Sequence, residues 1–186
     1  MTADTQSHAR AKGACATDGR YPFHHRSEVD VNIDAHRLFA HLDDHKRLAG
    51  HMEKPSLMMA GATMRVDTDA LRGQAVGSQI RVTGRVLGMK LAVEEVVTER
   101  VPPLRKIWET CGEPRLLVIG SYRMGFTISP RGGRSRLVVF IDYQLPPRGI
   151  AHGLALVFSR AYAAWCTRRM TTDATNAFAG RADDKQ

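Results

Sequence analysis

Leu137, Val139, Ile141, Tyr143 and Leu145 alternate along one face of a strand that runs into Pro146-Pro147. Beyond the prolines an uninterrupted helical stretch extends from about Gly149 to Phe178. On that helix Leu154, Val157, Phe158, Ala161 and Trp165 recur at the spacing of a single apolar stripe, which calls for burial. A helix this long needs a sheet to lie on, and the preceding segments read as strands joined by short Gly/Pro turns. The expected architecture is therefore α+β: a curved antiparallel sheet of about six or seven strands wrapped around one long C-terminal helix. Such a grip leaves a cavity between sheet and helix, and a cavity walled by Met, Tyr, Phe and Trp is first of all a small-molecule site.

The chain of 186 residues is long enough for one domain with a sizeable core. Residues 1 to about 20 have no apolar run and read as a mobile leader, residues 21–179 as a single ligand-binding domain and residues 180–186 as a mobile tail. The leader lacks the apolar core of a secretory signal, and no stretch approaches the roughly 18 apolar residues of a membrane span. The expected location is cytoplasmic. Cys15, Cys111 and Cys166 are far apart and form no CxxC pair. Cys111 and Cys166 read as small buried hydrophobes and Cys15 as a thiol in the leader.

The formal net charge is +8, and the excess sits in the second half: residues 1–100 hold fourteen Lys/Arg against thirteen Asp/Glu, residues 101–186 thirteen against six. These cations are scattered over strand ends and turns, without aromatic interleaving or a helix-turn-helix, zinc-finger or RNA-binding signature. A solvated basic surface is the reading preferred, with no nucleic-acid partner. Arg160, Arg168 and Arg169 edge the final helix and allow at most transient contact with anionic lipid headgroups.

Glu28 to Ile33 alternates Val29, Val31 and Ile33 inward, a half-buried strand that can begin near Phe23. Asp34 stands where an N-cap belongs, before a short helix burying Leu38, Phe39 and Leu42; Asp43 can cap a second helix running through Leu48 to Met52. Period two returns at Met58, Ala60, Ala62, Met64 and Val66, then at Ile80, Val82 and Val86, then at Leu91, Val93, Val97 and Val101. Lys106 to Thr110 holds Trp108, and Leu116 to Ile128 alternates Tyr122, Met124 and Phe126 on one face. Gly73, Gly77, Gly88, Pro102-Pro103, Gly112-Pro114 and Gly132-Gly133 punctuate these runs as turns.

This order of elements, with the stretch from Val29 to Asp44, the pair of runs from Gly77 to Gly88, the run from Glu95 to Glu109 and the closing helix, resembles the START-like SRPBCC superfamily in its polyketide cyclase/dehydrase-type branch. The resemblance covers about residues 24–178. It implies a helix-grip fold with a deep apolar cavity and the binding of an apolar or aromatic ligand. It brings no catalytic motif that maps onto this chain.

The inward phases make Met58, Met64, Trp108, Tyr122, Met124, Phe126, Tyr143, Leu154, Phe158 and Trp165 the expected ligand-binding wall, with Arg169 where the final helix turns polar. For any one of them core filling, which contributes about 2–3 kcal/mol per large side chain, is the preferred reading, and only as a set do they favour a ligand wall. Glu95 shares the phase of Leu91, Val93 and Val97, where it would be an acid, a base or a hydrogen-bond anchor; a twist or bulge turning it outward is the preferred alternative. Tyr122 and Tyr143 bring hydroxyls that can fix a carbonyl or phenol. His41 and His45 are four apart, but Asp43-Asp44 breaks the helix that would align them, so a solvated surface is preferred to a metal site.

No nucleophile elbow, P-loop or GxGxxG occurs, and no metal or nucleotide cofactor is expected. The favoured function is a binding or carrier protein for a lipid, quinone or polyketide-like molecule. The alternative is a cyclase- or dehydratase-type enzyme in which Glu95, Tyr122 or Tyr143 moves a proton. A homodimer through the sheet edge or the Arg-rich helix is a further alternative.

Overall fold

A computed structural model describes residues 21–48, 63–86, 88–147 and 149–179. Met58, the expected start of the second strand, the end of the second helix at Met52, the leader and the tail lie outside the described residues.

The chain opens with β1 (Phe23–Val31), α1 (Ala35–Asp43) and α2 (His45–Leu48). Strands β2 (Thr63–Thr68), β3 (Gln79–Val86), β4 (Met89–Val101), β5 (Arg105–Arg115), β6 (Tyr122–Arg131) and β7 (Arg134–Tyr143) follow, and α3 (Ile150–Ala179) closes it. The seven strands form one sheet in the order β1-β7-β6-β5-β4-β3-β2, every neighbouring pair antiparallel. Gly132 and Gly133 carry φ of 52° and 84°, the positive pair a primed hairpin turn between β6 and β7 requires.

Local chemistry sets the first helices. Asp34 caps α1 by accepting from Arg37 N at 3.0 Å. It is Asp44, not Asp43, that accepts from an α2 amide, Arg47 N at 3.3 Å. Asp43 is instead buried, taking Arg100 Nη2 at 2.7 Å and Lys106 Nζ at 3.1 Å, and Lys106 also donates to the Asp43 carbonyl at 2.8 Å. These charges tie the end of α1 to β4 and β5.

The expected turn at Gly112-Pro114 is a bulge inside β5. Ala92 pairs with Arg115 and Glu94 with Cys111, so β5 carries extra residues there, and Gly112 takes a φ of 70°. The following strand starts at Tyr122, not Leu116. A second irregularity between Val97 and Glu99 bends the same strand pair, and the exposure of Val101, expected inside, follows from that shift. Cys111 is half-buried and disulfide-bonded, not a small buried hydrophobe.

The face that α3 presents to the sheet differs from the expected stripe. Ala155, Ser159, Ala163, Cys166, Thr167, Met170, Thr171, Ala174 and Phe178 are buried. Val157 is 68% exposed, Phe158 50% and Leu154 36%, while Trp165 is half-buried. The reason is steric. The first half of α3 is apolar on nearly every side, so periodicity does not choose a face. Small side chains at 155, 159 and 163 let the helix backbone approach β1 and β7, which Leu154 and Phe158 would hold away. Hydrogen bonds from β1 secure that seam, His25 Nδ1 to Thr167 Oγ1 at 2.9 Å and Ser27 Oγ to Thr171 Oγ1 at 3.2 Å.

Candidate functional site

Because α3 lies against β1 and β7, the concave face of the remaining strands is left to make a cavity with the helix. Its volume is about 60 Å³, and it is walled by Met64, Val82, Val93, Glu95, Trp108, Leu116, Ile119, Tyr122, Met124 and Ile141 from the sheet side, His45 from α2, and Tyr162, Cys166 and Met170 from α3. An engineered apolar cavity of roughly 150 Å³ takes up benzene, so this one is too small for such a guest as it stands. Met64, Met124 and Met170 can change that, since unbranched thioether chains adapt to a guest at little cost.

One polar cluster interrupts the apolar wall. Glu95 on β4 pairs in register with Thr110 on β5, and the Tyr122 amide donates to Thr110 Oγ1 at 3.1 Å. Glu95, Thr110 and Tyr122 thus form a row across three strands. The small central Thr110 lets the Tyr122 ring reach over, so that its hydroxyl donates to Glu95 Oε1. Glu95 is 4% exposed and faces the cavity; the bulges flanking this segment of β4 do not turn it outward.

His45 completes the cluster. Its Nε2 stands 3.4 Å from Glu95 Oε2, and its ring meets Trp108 edge-on at 5.0 Å. Gly73 in the β2–β3 turn packs on it so closely that a Cβ there would lie 3.1 Å from His45 Cβ. Among the described residues, His45 Nδ1 and Glu95 Oε2 are buried without a hydrogen-bond partner.

The acidities follow from burial. Desolvation, then the Glu95 charge, hold the Tyr122 phenol well above its ordinary range. Tyr162 is raised as well, first by the neighbouring Cys166 and then by burial. Burial pushes the Cys166 thiol up to about 12, against a hydrogen bond from Tyr162. At neutral pH all three are uncharged donors.

Of the residues expected at the site, Met64, Trp108, Tyr122 and Met124 line the cavity, as does Glu95. Phe126 is fully buried against Phe39, ring centroids 5.7 Å apart, and Tyr143 stacks on Phe23 at 5.5 Å; both are core and neither lines the cavity. Leu154 and Phe158 face away from the sheet, Trp165 packs beside Tyr162, and Arg169 pairs with Asp173 at 3.4 Å on the outer side of α3. Sequence reasoning missed His45, Tyr162, Cys166 and Met170. Cys166 and Met170 lay on the helix face opposite the one chosen. His45 carried a signal, since it follows the Asp43-Asp44 break directly, but the sheet residues it meets are far along the chain. It is 3% exposed, which corrects the expectation of a solvated histidine. His41 is half-buried with its ring against Phe178. Among the described residues no group of His, Cys, Asp and Glu is placed to hold a metal, and no helix is long and apolar enough to cross a membrane.

The fold is the helix-grip architecture, a curved antiparallel sheet followed by a long C-terminal helix, shared with the solved structures to which this chain is similar. TTHA0849 from Thermus thermophilus superposes with a TM-score of 0.62 over 86% of this chain and 99% of its own, at 14% identity. Norcoclaurine synthase from Thalictrum flavum, in complex with dopamine and hydroxybenzaldehyde, gives 0.56 over 84% and 86% at 14% identity. The Zhui aromatase/cyclase from a Streptomyces species gives 0.56 over 85% and 92% at 16% identity. No family model matches the chain, and no curated protein matches it in sequence.

Proposed function

We propose that this protein binds a small apolar or aromatic molecule, lipid, quinone or polyketide-like, between the sheet and α3 and acts as its carrier. The observation that carries the reading is the adaptable wall of Met64, Met124 and Met170 around Trp108 and Tyr162, between the concave face of the sheet and α3. An interior built only for stability favours side chains with few rotamers, whereas thioethers around aromatic rings suit a guest. The presence of dopamine and hydroxybenzaldehyde in one protein of this fold supports an aromatic guest.

A second reading, a cyclase- or dehydratase-type enzyme, is favoured by Glu95, Tyr122 and His45. They put an acceptor, a neutral donor and an imidazole within one buried cluster, the equipment of proton transfer.

Mass spectrometry on an organic extract of the natively purified protein tests the carrier reading, with Cys166→Trp as the filled-cavity control. An apolar compound present with the wild type and missing from the variant supports it. Empty extracts from both sink the carrier and leave turnover assays, in which Glu95→Gln abolishing activity without loss of affinity would support the enzyme.

A further inference from the structure

We infer that the molecule taken up by this cavity presents a neutral hydroxyl to Glu95 Oε2, so that its class is a hydroxylated aromatic or alcohol and not a plain hydrocarbon, ketone or amine. The inference rests on the ligand-binding reading above and adds what the guest must carry.

Glu95 is 4% exposed, and one of its two carboxyl oxygens is already served, by the Tyr122 hydroxyl. The other, Oε2, has no hydrogen-bond partner among the described residues, although Glu95 lines the cavity. His45 Nε2 at 3.4 Å is beyond good hydrogen-bonding range, and His45 Nδ1 is likewise without a partner. A buried carboxyl oxygen with no donor is unfavourable, so a guest that brings one is selected over a guest of the same shape that does not.

Three chemistries can be compared at that oxygen. A ketone or ether offers only lone pairs and would face Oε2 acceptor to acceptor. An ammonium donates, but it must shed its own hydration in a pocket walled by Val82, Val93 and Ile119. A hydroxyl donates without adding charge and keeps lone pairs free for an imidazole N–H. Tyr122 cannot swing away to replace it without abandoning Oε1.

Single-ring probes test this directly: phenol, toluene, anisole and benzylamine titrated into the full chain, read by the methyl resonances of its methionines in wild type and Glu95→Gln. The expected result is phenol binding at least tenfold tighter than toluene and anisole, with that preference falling below threefold in Glu95→Gln while toluene affinity stays put. Equal affinities for phenol, toluene and anisole in the wild type would overturn the inference and leave the cavity reading standing. Benzylamine binding more tightly than phenol would overturn it in favour of a cation. No probe perturbing Met64, Met124 or Met170 would remove the cavity reading and the inference with it. Should Glu95→Gln fail to fold, the wild-type comparison decides by itself.

Discussion

Glu95 and Tyr122 stand on strands separated by β5, and the tyrosine hydroxyl crosses that strand over Thr110 to donate to the carboxylate. Two strand spacings are about 10 Å, the reach of a tyrosine only when the residue between is small. Thr110 is both small and polar, fully buried, and it accepts from the Tyr122 amide.

Thr110→Val keeps the volume and removes the acceptor. The buried Tyr122 amide then lacks a partner, and the expected loss is about 1–3 kcal/mol in guanidinium unfolding. Thr110→Ser, which restores the oxygen, should recover most of it. A valine variant as stable as the wild type would show that the row does not depend on this bond.

Tyr122, Tyr162 and Cys166 are all held above their ordinary acidities. A group whose folded value is raised contributes stability below its unfolded value and loses it as the pH climbs, because the unfolded chain releases its proton first. The ordinary values are 9.0 for the thiol and 10.0 for the phenols. Urea midpoints should therefore fall from about pH 9 upward, and Cys166→Ala should flatten the early part of the decline. Tyrosinate absorbance should show Tyr122 and Tyr162 ionising only with unfolding. Midpoints constant from pH 8 to 11 would contradict this.

Lys106 is completely buried, and its counter-charge Asp43 nearly so. Burial alone would raise the Asp43 carboxyl, but the bonds from Arg100 and Lys106 outweigh it and hold it below its ordinary range. Asp43→Asn strands an ammonium in the core and should cost about 3–5 kcal/mol, whereas the double change with Lys106→Met should cost less than Asp43→Asn alone. Equilibrium denaturation of the four proteins in the cycle gives the coupling. Additive losses would mean the pair is not coupled.

The two faces of α3 make opposite predictions. Val157→Asp lies on the exposed side and should change stability by less than about 0.5 kcal/mol. Ala163→Leu lies at 0% exposure against the sheet and should cost about 1–3 kcal/mol through overpacking. Thermal melts suffice, and a reversed order would restore the apolar stripe to the buried face.

What was legible in the sequence follows from range. Alternation at Val29 and Val31, at Val82 and Val86, and at Leu137 to Tyr143 reports a strand with one wet face, and Asp34 before Leu38 reports a capped helix; these are signals between near neighbours. Trp108 shares its strand phase with Lys106 and Thr110, and all three are buried, the lysine through Asp43. Gly112 illustrates the opposite case. A positive-φ glycine serves a turn and a bulge alike, and only the pairing of β5 with β4 separates them.

The elements, their order and the need for a curved sheet around a long helix are written locally, because hydrophobic period, caps and turn residues act within a few positions of one another. Tertiary structure decided which side of α3 is buried, that Glu95 points inward, and that His45 and Tyr122 meet it there. Those outcomes depend on how closely a helix of small residues can approach β1 and β7, and on neighbours from other strands and from α2 separated by 15 to 50 positions in the chain. Backbone approach and strand register are properties of packed surfaces, and no local pattern encodes them.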